Sequence, residues 1–232
     1  NITSPFLADK LYWTFQTDKI GDLVTKGNNG KLSAKVSFDQ NNLSYSFGRE
    51  TTKKISFKEN NVIPIKSNSL FLPAKEVLSL QKLILKAREV DKLFGYDDTY
   101  LDLARALRQA ERQDKTVGNL SQSQENIKNI VGGKIEYEES SENWIFRNKK
   151  NQKFEIGVLA EGFKKLVILD ILLGNRYIDD RSILFIDEPE SALHPAAISK
   201  LLDIIALLAK ADDLETRGLI SIAIISSFSS GE

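Results

Sequence analysis

Residues 182 to 195, SILFIDEPESALHP, hold the chain's most specific chemical pattern. Ile183, Leu184, Phe185 and Ile186 run without a polar break into Asp187 and Glu188, as expected of a strand buried on both faces of a parallel sheet that presents carboxylates at its C-terminal edge. Open α/β sheets bind ligands at that edge. Two adjacent acids there divide the labour. Asp187 suits Mg2+, held largely through its water shell, because this hard cation takes one or two carboxylates plus substrate phosphate oxygens. Glu188 is then placed to face the water that attacks a terminal phosphate. A buried strand ending in two acids occurs in many α/β proteins, so the specificity lies in the continuation: Pro189, Glu190, Ser191, Ala192, Leu193 and His194.

That continuation carries a family resemblance. A hydrophobic strand followed by DEPESALHP resembles the Walker B and D-loop segment of ABC-type AAA family ATPases, in detail the branch that includes the RecF, SMC and OLD-like proteins. The resemblance implies ATP and Mg2+ as cofactors, Asp187 as the metal residue and Glu188 as the catalytic one. It also implies a D-loop, with Ser191 and His194 at the nucleotide, that crosses a dimer interface. For His194, the only histidine, contact with the partner's site and capping of the helix beginning near Pro195 both stay open ahead of a catalytic role.

A second half-site lies upstream in VLAEGFKKLVILDILLGN. Gly162 precedes a helical run with Leu166, Leu169, Ile171 and Leu172 that Gly174 or Asn175 can end. A strand, a small turn and a helix N-terminus make an anion site, because free backbone N–H groups and the positive end of the dipole converge. On its own AEG is an ordinary glycine turn, but it sits roughly two dozen residues before the acidic strand, the order the resemblance implies for an ABC signature. Leu159, Ala160, Glu161 and Gly162 are then expected at the γ-phosphate of a nucleotide held by another subunit's P-loop. Ala160 takes the serine position and offers no hydroxyl, leaving the amides and the dipole to act.

The remaining chain supplies the positioning elements. Residues 1 to 20 read as a short helix starting near Pro5, then a loop, with Trp13 and Phe15 as core anchors. LVTKGNNGKLSAKVSF reads as strand, turn, strand, with Gly27 to Gly30 as the hairpin turn. That turn is not a P-loop. Counting back from Gly30 puts Thr25 where the first glycine belongs, and Leu32 follows Lys31 in place of a hydroxyl residue. By resemblance the P-loop lies N-terminal to Asn1. The chain opens in mid-stride and contains no methionine, so it reads as a fragment or as a sequence that has lost modified methionines, which would put local spacings off by one. Asn68 to Leu72 reads as a strand, and Val77, Leu80, Ile84, Ala87 and Val90 recur at helical spacing up to Gly95. Asp97 or Asp98 caps a second helix bearing Leu101, Ala104 and Leu107, and Lys75, Glu76, Arg105, Arg108 and Arg112 read as a solvated helix face ahead of a contact surface for a partner or nucleic acid. Past a polar stretch, KIEYE, NWIFRN and KFEIG form an antiparallel meander, with Trp144 and Phe146 on one side as core. After the acidic strand, a helix from Ala196 to Lys210 leads to the strand LISIAIISS, where Phe228 stands at the position of the family's switch histidine.

The expected architecture is an α/β P-loop NTPase of ABC-ATPase type with an antiparallel β meander and a helical insertion. Residues 1–72 form its β-rich N-terminal part, 73–131 the insertion and 132–232 the C-terminal lobe. Zero formal charge, from 32 basic and 32 acidic residues, gives no global pull toward nucleic acid or membrane, and the absence of cysteine excludes disulfides and thiolate metal sites. No apolar run is long enough to span a bilayer, which points to a cytoplasmic protein. By resemblance the partners are a second copy or a higher oligomer, a nuclease or toxin effector subunit, and DNA, in phage defence or DNA repair. The competing readings are a non-hydrolysing scaffold and a nucleic-acid clamp.

Overall fold

The computed structural model describes residues 2–27, 30–38, 40–63, 67–110, 118–189, 195–209 and 221–225. They fall into two compact units, one of residues 1–66 with 93–98 and one of 67–92 with 99–232.

The first unit begins with α1 (Ser4–Phe15), capped by the Thr3 hydroxyl, which accepts from the Phe6 N–H, with proline in the first turn. It packs on an antiparallel sheet of β1 (Leu32–Phe38), β2 (Asn41–Phe47) and β3 (Ser56–Asn60). Ala8, Ile20, Val24, Phe47 and Ile55 form its core, and the Ser4 hydroxyl accepts from the Ile55 N–H at 2.7 Å. Gly21 passes so close to the Arg49 carbonyl that a Cβ there would lie 1.9 Å from the oxygen. The segment 93–98 returns to this unit, where Phe94 meets the rings of Tyr12 and Trp13 at 5.3 and 5.5 Å.

Two expectations for this region are corrected. Phe15 is 55% exposed and anchors no core, because α1 turns Ala8, not its last residue, inward. The strand expected before Gly27 is also absent among the described residues. Ile20–Leu23 is a 3-10 turn, and the hairpin closes where Phe38 pairs with Asn41.

The second unit is built on a parallel sheet ordered β4 (Ser69–Leu72), β8 (Ile183–Asp187), β9 (Ser221–Ile225). Between β4 and β8 the chain passes through α2 (Gln81–Leu85), α3 (Asp98–Leu107), α4 (Gly118–Val131), the meander β5 (Gly133–Glu138), β6 (Asn143–Asn148), β7 (Lys153–Glu155), and then α5 (Glu161–Gly174). Helix α6 (Pro195–Leu208) connects β8 to β9. Its parallel strands joined by helical crossovers define an α/β unit. Leu166, Val167, Leu169, Leu172 and Leu173 are all buried on α5, which is covered on more than one side. Buried amides stitch the elements together. Gln81 donates to the Ala104 carbonyl at 2.8 Å and accepts from the Trp144 indole at 2.6 Å, and Asn175 donates to the Ala106 carbonyl at 2.8 Å.

The expected single helix of residues 73 to 95 is three short pieces: a 3-10 turn at Leu78–Leu80, α2, and a π-helical turn at Lys86–Val90. The wider turn shifts the phase, so Arg88 is buried while Val90 is 71% exposed. Glu76 is also buried, not solvated. Its carboxylate meets Lys164 at 3.1 Å, with both side chains under a tenth exposed. Finally, β8 is covered on one face only. Leu184 and Ile186 are buried, but Phe185 is 38% exposed. Trp144 and Phe146 are core, as expected, and Ile145 between them is buried as well.

Candidate functional site

Parallel pairing sets the site. Leu72 of β4 lies opposite Ile186 of β8, and Asp187 opposite Ile225 of β9. The central strand therefore ends at the acid pair, between two strands running the same way. The loop into β8 is held by Asn68, which donates to the Tyr177 carbonyl at 2.7 Å and accepts through its own carbonyl from the Ile183 N–H at 2.9 Å.

Asp187 is half-buried and closes the strand. Glu188 follows at φ 44°, in the left-handed region, and Pro189 after it is buried. This reversal takes the chain off the sheet directly after the acids, at the edge where α/β sheets meet ligands. Asp187 and Pro189 line a narrow cavity of about 20 Å³ with Lys165, Ile168, Leu72 and Glu76, room for about one water.

Helix α5 carries the other half. Its N-cap is Ala160, which supplies no side-chain hydrogen bond, and the Lys164 N–H to Ala160 carbonyl bond at 3.1 Å closes the first turn. The amides of Glu161, Gly162 and Phe163 precede that first helical bond. Ala160 and Glu161 are exposed, Leu159 is half-buried and Gly162 is buried. The turn is anchored three ways. The Phe163 ring meets Phe146 of β6 edge-on at 5.4 Å. Lys164 pairs with Glu76, whose second oxygen accepts from the Ser79 N–H at 3.0 Å. Lys165 donates to the Glu188 carbonyl at 3.0 Å.

The structure thus links the two predicted half-sites through one side chain, Lys165, while none of Leu159, Ala160, Glu161 or Gly162 lines the cavity beside Asp187. Ser191 and His194 lie outside the described residues, as do Arg112, Ser226, Ser227 and Phe228. Sequence reasoning missed Lys164, Lys165 and the role of Glu76. The signal was available: two lysines at the fourth and fifth positions of a helix sit near the positive end of its dipole, where cations are disfavoured without a dedicated partner.

Among the described residues no cluster of three or more acids or histidines forms a metal cage. A single half-buried carboxylate at a strand end fits Mg2+ held mainly by waters and phosphate oxygens. A larger cleft of about 470 Å³, lined by Arg108, Tyr137, Trp144 and Asn175 among others, contains none of the predicted site residues.

A parallel sheet with acids at its C-terminal edge and a helix N-terminus tied to that edge makes an α/β unit of the class that binds ligands there. Within it, the family model described as "AAA domain, putative AbiEii toxin, Type IV TA system" matches residues 18–227, and the chain belongs to that AAA family of P-loop ATPases. Comparison with curated proteins gave no match. Among the described residues no helix is long and apolar enough to cross a membrane.

Proposed function

We propose that this chain is an ABC-type ATPase domain that works as a head-to-tail dimer, hydrolyses ATP with Mg2+, and serves in the cytoplasm as motor or sensor of a bacterial anti-phage defence or DNA-processing complex. The observation that carries the reading is the Asp187–Glu188 pair at the end of the central parallel strand, joined to the first turns of α5 by Lys165.

Bound Mg2+ supplies charge neutralisation on the transferred phosphoryl group. Asp187 would hold the ion, and Glu188 would orient the attacking water or take its proton. The Leu159–Gly162 turn of a second copy offers backbone N–H groups to the γ-phosphate, in a chemistry that is mostly positioning and electrostatics. The family description carries the words "putative AbiEii toxin, Type IV TA system", and the defence role with a nuclease or toxin effector as partner is part of the same proposal.

Light scattering of the full-length protein tests the dimer. Glu188→Gln with ATP and Mg2+ should accumulate as a dimer, and adding Gly162→Arg should return it to monomer with nucleotide still bound. A Glu188→Gln protein that binds ATP yet has the same mass with and without it would count against the head-to-tail arrangement.

A further inference from the structure

The Glu188 backbone holds a conformation that a residue with a Cβ adopts only under constraint: its φ is 44°. The described contact made by its carbonyl is with Lys165, whose ammonium donates to it at 3.0 Å. A charged donor makes this a stronger bond than a neutral one. Lys165 also lines the cavity that Asp187 and Pro189 border, where about 20 Å³ of space is left.

The helix that carries Lys165 is itself fixed. One residue earlier, Lys164 turns to Glu76 in a buried pair at 3.1 Å and reaches the Gly157 carbonyl at 3.5 Å. Glu76 follows β4 and Glu188 follows β8, and these strands are parallel neighbours. Consecutive lysines therefore bind the start of α5 to the segments leaving two adjacent strand ends.

Resting on the ATPase reading, we propose that Lys165 is a positioning residue for Glu188: its ammonium fixes the reversed peptide after β8 and so holds the Glu188 carboxylate where the attacking water sits. Lys165 touches no reacting atom. Its loss leaves nucleotide binding in place and loosens the group that acts in the transition state, so the defect falls on kcat and not on KM. Because Lys165 stands one helical turn from Gly162, the same bond passes any shift of the α5 N-terminus directly to Glu188.

The test is steady-state ATP hydrolysis and equilibrium binding of a fluorescent ATP analogue by the full-length wild type, Lys165→Met and Lys165→Arg. The expected result is a kcat about tenfold lower in Lys165→Met, with KM and analogue affinity within about twofold of wild type. Lys165→Arg, which keeps a charged N–H for a single carbonyl acceptor, should recover to within about threefold. Thermal midpoints should agree within a few degrees, showing that the fold is kept. Turnover by Lys165→Met equal to wild type, a KM that rises in step with the loss, or a defect that arginine does not rescue would each overturn the positioning role while leaving the ATPase reading intact. A wild type that binds the analogue but shows no turnover, or binds none, would instead sink the ATPase reading, and the positioning role with it.

Discussion

Glu188 sits at φ 44°, a conformation that costs a residue with a Cβ roughly 1–2 kcal/mol. Glycine pays no such cost, so Glu188→Gly should raise chemical-denaturation stability by about 1 kcal/mol while abolishing turnover. Glu188→Ala should lose turnover without that gain, and a destabilised glycine variant would show that the reversal is unstrained. The Glu76–Lys164 pair makes a second residue-scale case. Both side chains are under a tenth exposed, so Glu76→Leu should cost about 3–5 kcal/mol by leaving a buried ammonium without its carboxylate. Adding Lys164→Met should recover most of that loss, and a double-mutant cycle measures the coupling. Additive losses in the cycle would mean that the two groups do not depend on one another.

Among the elements, the meander has its own ionic signature. Lys134 and then Arg147 hold the Glu136 carboxyl below its usual range, Lys153 and then Ser141 do so for Glu138, and Lys82 does so for Glu142. A carboxyl depressed by folding adds stability that is complete above its unfolded pKa and is lost as pH falls through the folded value. Glu136 and Glu138 are about a third exposed and Glu142 more so, so solvent screens these pairs and the effect is small and salt-sensitive. Thermal unfolding from pH 5 to pH 3 should therefore show a smaller fall in midpoint for Glu136→Gln/Glu138→Gln than for wild type, with added salt narrowing the difference. Equal falls would remove these pairs from the account. The same elements show what could be read from sequence. The unbroken run Ile183–Ile186, the glycine opening α5 and the alternation of β5 and β6 are local patterns, and each element formed where its pattern lay. The π-helical turn was hidden because periodicity assumes a constant turn width. The exposure of Phe185 depends on what covers the second sheet face, which no local run encodes. The placement of Asp187 and Glu188 at a strand end was legible in the apolar run that precedes them. The lysine contacts were not, because Lys164 with the Glu76 carboxylate and Lys165 with the Glu188 carbonyl span 88 and 23 residues.

At the scale of the whole molecule, membership in an AAA family of P-loop ATPases sets the class of chemistry, and the proposal places it at the strand-end acids Asp187 and Glu188. The first measurement is Mg2+-dependent ATP hydrolysis by the full-length protein beside Glu188→Gln. The account predicts turnover in the wild type and, in the variant, retained ATP binding with a rate lower by about a hundredfold or more, the scale on which a positioned general base contributes. A Glu188→Gln protein that hydrolyses ATP as fast as the wild type, or a wild type that neither binds nor hydrolyses ATP with Mg2+ present, would contradict it.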